Sequence, residues 1–182
     1  MSTAYIIDPE ASRFTVQAFA GGMLSAIGHD PTFIARDFKG EVGFDPDAPD
    51  EASLIMTMRA ASLTLVDDLS AGDRRTIERT MHDDVLEDAR FPEIVYRCSR
   101  AAARPLGAGQ IEVQLNGELT LHGVTRPQRI TAKLSATGSL LRASGEFTVR
   151  QSDYGIKPVS VAGSMLKVKD ELKCAFDIAA RL

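Results

Sequence analysis

The feature that most constrains this chain is a period-two alternation of apolar and polar residues, repeated along most of its length. In "IEVQLNGELTL", Ile111, Val113, Leu115, Leu119 and Leu121 share one phase, and Glu112, Gln114, Asn116, Glu118 and Thr120 share the other. Successive side chains of a strand point to opposite faces, so this stretch is a half-buried strand of above-average length. The same phase recurs in Leu172, Cys174, Phe176, Ile178, Ala180 and Leu182, and in Leu54, Met56 and Met58. Shorter runs occur at Phe14, Val16 and Ala18, at Val42 and Phe44, at Ile130, Ala132 and Leu134, and at Phe147 and Val149. About eight strands follow, most of them separated by turn signals such as "HG", "ATGS" and "DPDAPDE".

One segment departs from this pattern. Between Asp73 and Asp88, Ile77, Met81 and Val85 recur every four residues with charge between them, which predicts an amphipathic helix of about four turns. Ser70 or Asp73 caps its start, and Pro92 marks the return to extended chain. A single helix among strands reads as a lid or plug on an antiparallel sheet. Long strands in meander order favour a closed barrel over a sandwich, because closure removes exposed edges. The expectation is an all-β fold, an antiparallel eight-stranded β-barrel with one inserted amphipathic helix, and residues 1–182 suffice for one domain. Eight strands enclose an interior just wide enough to be filled by side chains or to hold one slender ligand. The inward phase here is aliphatic and aromatic, so the contents should be apolar.

A formal net charge of −4 argues against a nucleic-acid partner, since phosphate binding needs a clustered basic face. No run approaches the roughly 18 apolar residues of a membrane-spanning helix. The opening "MSTAYIIDPE" lacks a basic segment followed by an apolar stretch, and the chain reads as cytoplasmic. Cys98 and Cys174 both fall in apolar phases, where free cysteine behaves as a small buried hydrophobe.

Five stretches, "YIIDPEASRFTVQAF", "VLEDARFPEIVY", "LNGELTLHGVTRPQRI", "RQSDYGIKP" and "VKDELKCAFDIAA", resemble in order the opening strands, helix exit, central hairpin and closing strands of the YceI-like family. The resemblance implies a lipocalin-like barrel whose elongated cavity takes a polyisoprenoid, a prenyl quinone or a fatty-acid derivative. It also implies a carrier or binding protein with neither catalytic chemistry nor a cofactor. This chain departs from the family at Ala11, which precedes Ser12 where histidine is common, at Val85 and Leu86, which replace an aromatic pair, and at Gln151, which replaces an arginine.

The residues expected to line the cavity are Phe14, Val16, Met56, Met58, Ile94, Tyr96, Leu115, Leu119, Phe147, Phe176 and Ile178. Candidates to meet a ligand head group are His29, in the glycine-bearing stretch "GGMLSAIGHDPTFIA", together with Gln151 and Tyr154. His29 reads equally as a loop residue that caps or packs. The three histidines show neither a close pair four residues apart nor a thiolate motif, so no metal site is expected. His82 is expected on a solvated helix face, and His122 as a support of the "HGVTRP" turn. Nucleophilic catalysis needs a nucleophile beside an oriented base, and no GxSxG elbow is present. Two readings compete with the carrier: an isomerase- or cyclase-like enzyme acting on a hydrophobic substrate inside the barrel, and a filled structural or stress-response module without ligand. A homodimer is compatible with all three.

Overall fold

Alternating strands fold into a sheet because each apolar phase needs a shared interior. The computed structural model describes residues 2–21, 30–161 and 166–182. Its first half holds β1 (Thr3–Ile7), β2 (Arg13–Gln17), β3 (Ala20–Gly21), β4 (Thr32–Ala35), β5 (Phe38–Phe44), β6 (Ser53–Arg59) and β7 (Leu63–Leu65). Helix α1 (Ala71–Arg79) follows and runs into a π-helical turn at Thr80–Val85. The second half holds β8 (Glu93–Cys98), β9 (Ala101–Gly107), β10 (Gln110–Leu121), β11 (Val124–Thr137), β12 (Leu140–Arg150), β13 (Ser160–Val161), β14 (Leu166–Val168) and β15 (Glu171–Arg181).

These segments make eight long strands, because β1 with β2, β4 with β5, β6 with β7, and β8 with β9 are the interrupted halves of single walls. The ring runs from β1/β2 through β4/β5, β6/β7, β8/β9, β10, β11 and β12 to β15, antiparallel throughout. It closes because β15 pairs with both halves of the first wall, Ala180 with Ile7 and Phe176 with Phe14. Between those halves, a short turn at Pro9–Ala11 bulges out of the seam. Ser12 stitches the seam: its hydroxyl donates to the Asp8 carbonyl (2.6 Å) and accepts the Ala179 N–H (2.9 Å). The Arg181 guanidinium, hydrogen-bonded to the Asp8 carboxylate, holds that carboxyl below its usual range. A small second sheet, β13–β14–β3, stands at the end of the barrel that also carries the helix.

At the other end the interior is closed. Phe44, Val113 and Leu141 are at most 1% exposed there, and Ala179 and Ala180 are fully buried beside them.

Ser70 caps α1, its hydroxyl accepting the Asp73 N–H. The regular helix expected from Asp73 to Asp88 instead ends at Arg79 and widens into a π turn, in which the Leu86 N–H reaches back five residues to the Met81 carbonyl. The widened turn brings Met81, Val85 and the buried Leu86 against the barrel rim. No residue of α1 itself is buried. The helix is held by polar bonds to Leu65 on β7: Glu78 Oε1 accepts the Leu65 N–H (2.9 Å), and the Arg74 guanidinium donates to the Leu65 carbonyl. Arg74 also donates to the Asp67 carbonyl (2.7 Å). These side chains satisfy a strand edge that has no neighbouring strand to pair with.

The helix exit docks on the β10–β11 hairpin. His122 and Gly123 form its two-residue turn, both at positive φ, +52° and +72°. A Cβ at position 123 would lie 2.6 Å from the Phe91 ring, so glycine is required twice over, for φ and for space. His122 Nε2 lies 2.6 Å from Glu87 Oε2, Nδ1 lies 3.2 Å from the Tyr154 carbonyl, and the ring packs on Phe91. His122 thus supports its turn, and it ties the helix exit to the Gln151–Tyr154 turn as well. His82 differs from the solvated expectation. Its side chain is 20% exposed and its Nδ1 lies 2.7 Å from Asp88 Oδ2, off the line of a hydrogen bond, because the exit loop folds back over it. Leu182 is likewise not an inward residue: it follows the end of β15 and is 61% exposed.

Candidate ligand cavity

The inward phases of the eight walls do not fill the barrel. A lumen remains between them with about 100 Å³ open to the centre of a water-sized sphere. The space exists because one wall is made of small residues. Ala132 pairs with Gly145, and Ala143 pairs with Leu134 on one side and Ile178 on the other. The Phe176 ring lies across Gly145, where a Cβ would stand 2.8 Å from its edge.

The expected lining residues can now be placed. Phe14, Met56, Met58, Ile94 and Tyr96 border the lumen. Leu115, Leu119, Phe147, Phe176 and Ile178 complete this group from the β10, β12 and β15 walls. Val16, the next inward residue after Phe14 on β2, borders a different space. This second cavity lies under α1 at the helix end and measures about 310 Å³ by the same criterion. Ile77, Met81 and Val85 form its roof, and Phe33, Leu63 and Leu172 belong to its floor and sides. Phe147 packs against both Phe14 and Phe176, with ring centroids 6.2 and 6.4 Å apart. All three rings border the lumen, and Phe14 stands two residues along β2 before Val16, which borders the cavity under the helix.

The head-group candidates do not converge. His29 lies outside the described residues. Gln151 is 3% exposed and borders the cavity under the helix, with its Nε2 donating to the Lys169 carbonyl (3.0 Å). Tyr154 is also buried, and burial raises its phenol above the usual value, but it borders an outer hollow with Arg126 and Arg150 rather than either apolar cavity.

Among the described residues lining the lumen, the polar side chains are Ser53 and Tyr96. The Tyr96 hydroxyl donates to the Gln128 carbonyl (3.0 Å) and lies 3.4 Å from the Leu115 carbonyl, and burial pushes its pKa up. The Cys98 thiol donates to the Arg100 carbonyl (2.9 Å). Cys174 has no disulfide partner, and burial pushes its thiol up to about 12. The unfolded thiol ionises near 9 and the folded one does not. Cys174 therefore contributes stability that is intact below about pH 9 and drains away as pH rises towards 12. We predict that denaturant midpoints measured across this window fall less in Cys174→Ala than in the parent, and that alkylation of Cys174 tracks global unfolding.

The helix-side residues carried weaker sequence signals than the lumen. Phe33 and Leu63 fall outside the alternations that the sequence shows, and Arg74 and Glu78 stand four residues apart, the spacing of an ordinary surface pair. Their role emerges only when β7 supplies the backbone groups they hold.

A model of the YceI-like domain matches residues 5–180. The chain belongs to the YceI-like family. Among its relatives in that family is a UPF0312 protein of Pseudomonas syringae pv. syringae, 29% identical over 169 residues, a match covering 86% of this chain and 78% of the relative. YceI-like barrels are also what its fold resembles in solved structures. Burkholderia cenocepacia BcnA superposes with a TM-score of 0.73 at 18% identity, over 96% of this chain and 99% of that one. A polyisoprenoid binding domain from Saccharophagus degradans, implicated in plant cell wall breakdown, superposes with a TM-score of 0.70 at 14% identity, over 97% of both chains.

Proposed function

We propose that this YceI-like protein acts as a single-domain carrier that sequesters one long apolar amphiphile, a polyisoprenoid, prenyl quinone or fatty-acid derivative, with its tail in the barrel lumen. The observation that carries this reading is the unfilled lumen itself, walled by Met56, Met58, Phe147 and their neighbours, with the small Ala132 and Ala143 in its lining. A well-packed interior leaves few voids larger than a water molecule, so an apolar lumen of about 100 Å³ needs an occupant. Burial of tail surface supplies the affinity at about 25 cal/mol per Å². The polyisoprenoid binding named for the Saccharophagus domain supports the choice of ligand class. Binding rather than turnover is favoured because the lumen lining is apolar apart from Ser53 and Tyr96, and the Tyr96 hydroxyl is bonded to a backbone carbonyl. The free, buried thiols of Cys98 and Cys174 fit a reducing cytoplasm.

The test is organic extraction of natively purified protein followed by lipid mass spectrometry, with native mass spectrometry of the intact chain. A stoichiometric long-chain lipid, or uptake of one on addition, is the expected result. Absence of both would leave the filled-module reading in its place.

A further inference from the structure

Granted the carrier reading, the lumen alone is too small for the whole ligand, and the helix-side cavity is three times its size. We propose that this cavity is a second compartment, which houses the head end of the amphiphile, and that the head group is an anion met by the ammonium of Lys167.

The direction follows from the two ends of the barrel. Phe44, Val113 and Leu141 close the far end with almost no exposure, so a tail driven down the lumen stops there. The head must stay at the helix end. That end is covered by α1, which buries none of its own residues and is clasped to Leu65 through Arg74 and Glu78, so lifting the roof breaks two polar clasps and the partly buried contacts of Ile77, Met81 and Val85.

The sign of the charge follows from the wall. Among the described residues its side chains are apolar except for Thr76, Thr80, Gln151 and Lys167, with no carboxylate to repel an anion. The Thr76 hydroxyl donates to the Gly72 carbonyl and the Gln151 amide to the Lys169 carbonyl, so both are already occupied. Lys167 is the one charged lining residue, and among the described residues it makes no ion pair. It is exposed, so an anion at the rim keeps part of its hydration while its chain is buried, which suits an ionised head on an apolar tail. A carboxylate on a fatty chain and a phosphate on an isoprenoid chain share this chemistry.

Fluorescence titration with cis-parinaric acid and with its methyl ester tests the assignment, on the full chain and on Lys167→Met. At low salt the acid should bind about fivefold tighter than the ester, a preference of the size a partly exposed ion pair supplies. The preference should shrink with added salt and vanish in Lys167→Met, with ester affinity unchanged. Displacement of the probe by palmitate against methyl palmitate, and by geranylgeranyl phosphate against geranylgeraniol, then identifies which anion the rim prefers. Equal binding of acid and ester by the parent, or a preference that survives Lys167→Met, overturns the head-group assignment and leaves the carrier standing. Failure of the parent to bind either probe overturns both.

Discussion

Ala143→Phe is expected to give a folded barrel that no longer takes a chain into its lumen. Ala143 is an inward residue of β12 on the lumen wall, flanked on the same strand by Leu141 and Gly145. A phenyl group there projects into the unfilled lumen, so the usual overpacking cost of about 1–3 kcal/mol is largely avoided. A ligand tail, by contrast, loses its seat. If about 100 Å² of tail surface is left in water, the loss is about 2.5 kcal/mol at 25 cal/mol per Å², or roughly 70-fold in Kd. Titration with the methyl ester of cis-parinaric acid isolates this effect from any head-group attraction, and a thermal melt reports the fold. Short acidic amphiphiles, whose chains fit under α1, should keep most of their affinity. A folded Ala143→Phe that binds the ester as tightly as the parent would place the tail outside the lumen.

The parts of this protein that were legible in the sequence are those governed by strand parity. Each strand residue has one of two faces, so Met56, Met58, Leu115 and Ile178 could be assigned inward with no knowledge of their partners. Parity carries no information about where a wall breaks. The interruptions at Pro9–Ala11 and Ala60–Ser62 each flip the inward phase, from Tyr5 and Ile7 to Phe14 and Val16 and from Met56 and Met58 to Leu63 and Leu65, and the expected eight walls emerge although the described residues hold fifteen strand segments. Nor does parity separate a full interior from a hollow one, because the void depends on how far the inward side chains of all eight walls, the small Ala132 and Ala143 among them, reach towards one another. The four-residue spacing of Ile77, Met81 and Val85 suits an α-helix and a widened turn alike, so the π turn was not readable. The clasp on Leu65 and the burial of His82 by Asp88 arise from tertiary contacts, and single-residue patterns cannot encode those. Parity also erred by one step at Leu182, where the alternation outlasts the strand.

Gly117→Val is expected to cost the fold about 4 kcal/mol. Gly117 interrupts the inward phase of β10 between Leu115 and Leu119, and the sequence alone gives no reason for a missing side chain there. The reason is Tyr96. Its ring crosses β10 at Gly117 so that its hydroxyl can reach the Gln128 carbonyl on β11, joining three consecutive walls. A Cβ at position 117 would lie 2.6 Å from Tyr96 Cζ and Oη, and it would also collide with the Arg97 carbonyl oxygen. The ring could swing away. The carbonyl cannot, because β8 is fixed by its pairing of Arg97 with Glu118 and of Tyr96 with Leu119. Overpacking costs about 2 kcal/mol and the stranded Tyr96 hydroxyl about 2 kcal/mol more. For a domain of this size, that lowers Tm by about 12 °C at roughly 3 °C per kcal/mol. Urea unfolding followed by circular dichroism measures the loss. Tyr96→Ala in the same chain removes the ring but leaves the Arg97 carbonyl, so the double variant should recover part of the loss with a non-additive coupling of at least about 1 kcal/mol. Strict additivity, or a single variant within about 0.5 kcal/mol of the parent, would mean that Tyr96 does not hold β8, β10 and β11 together in the way described.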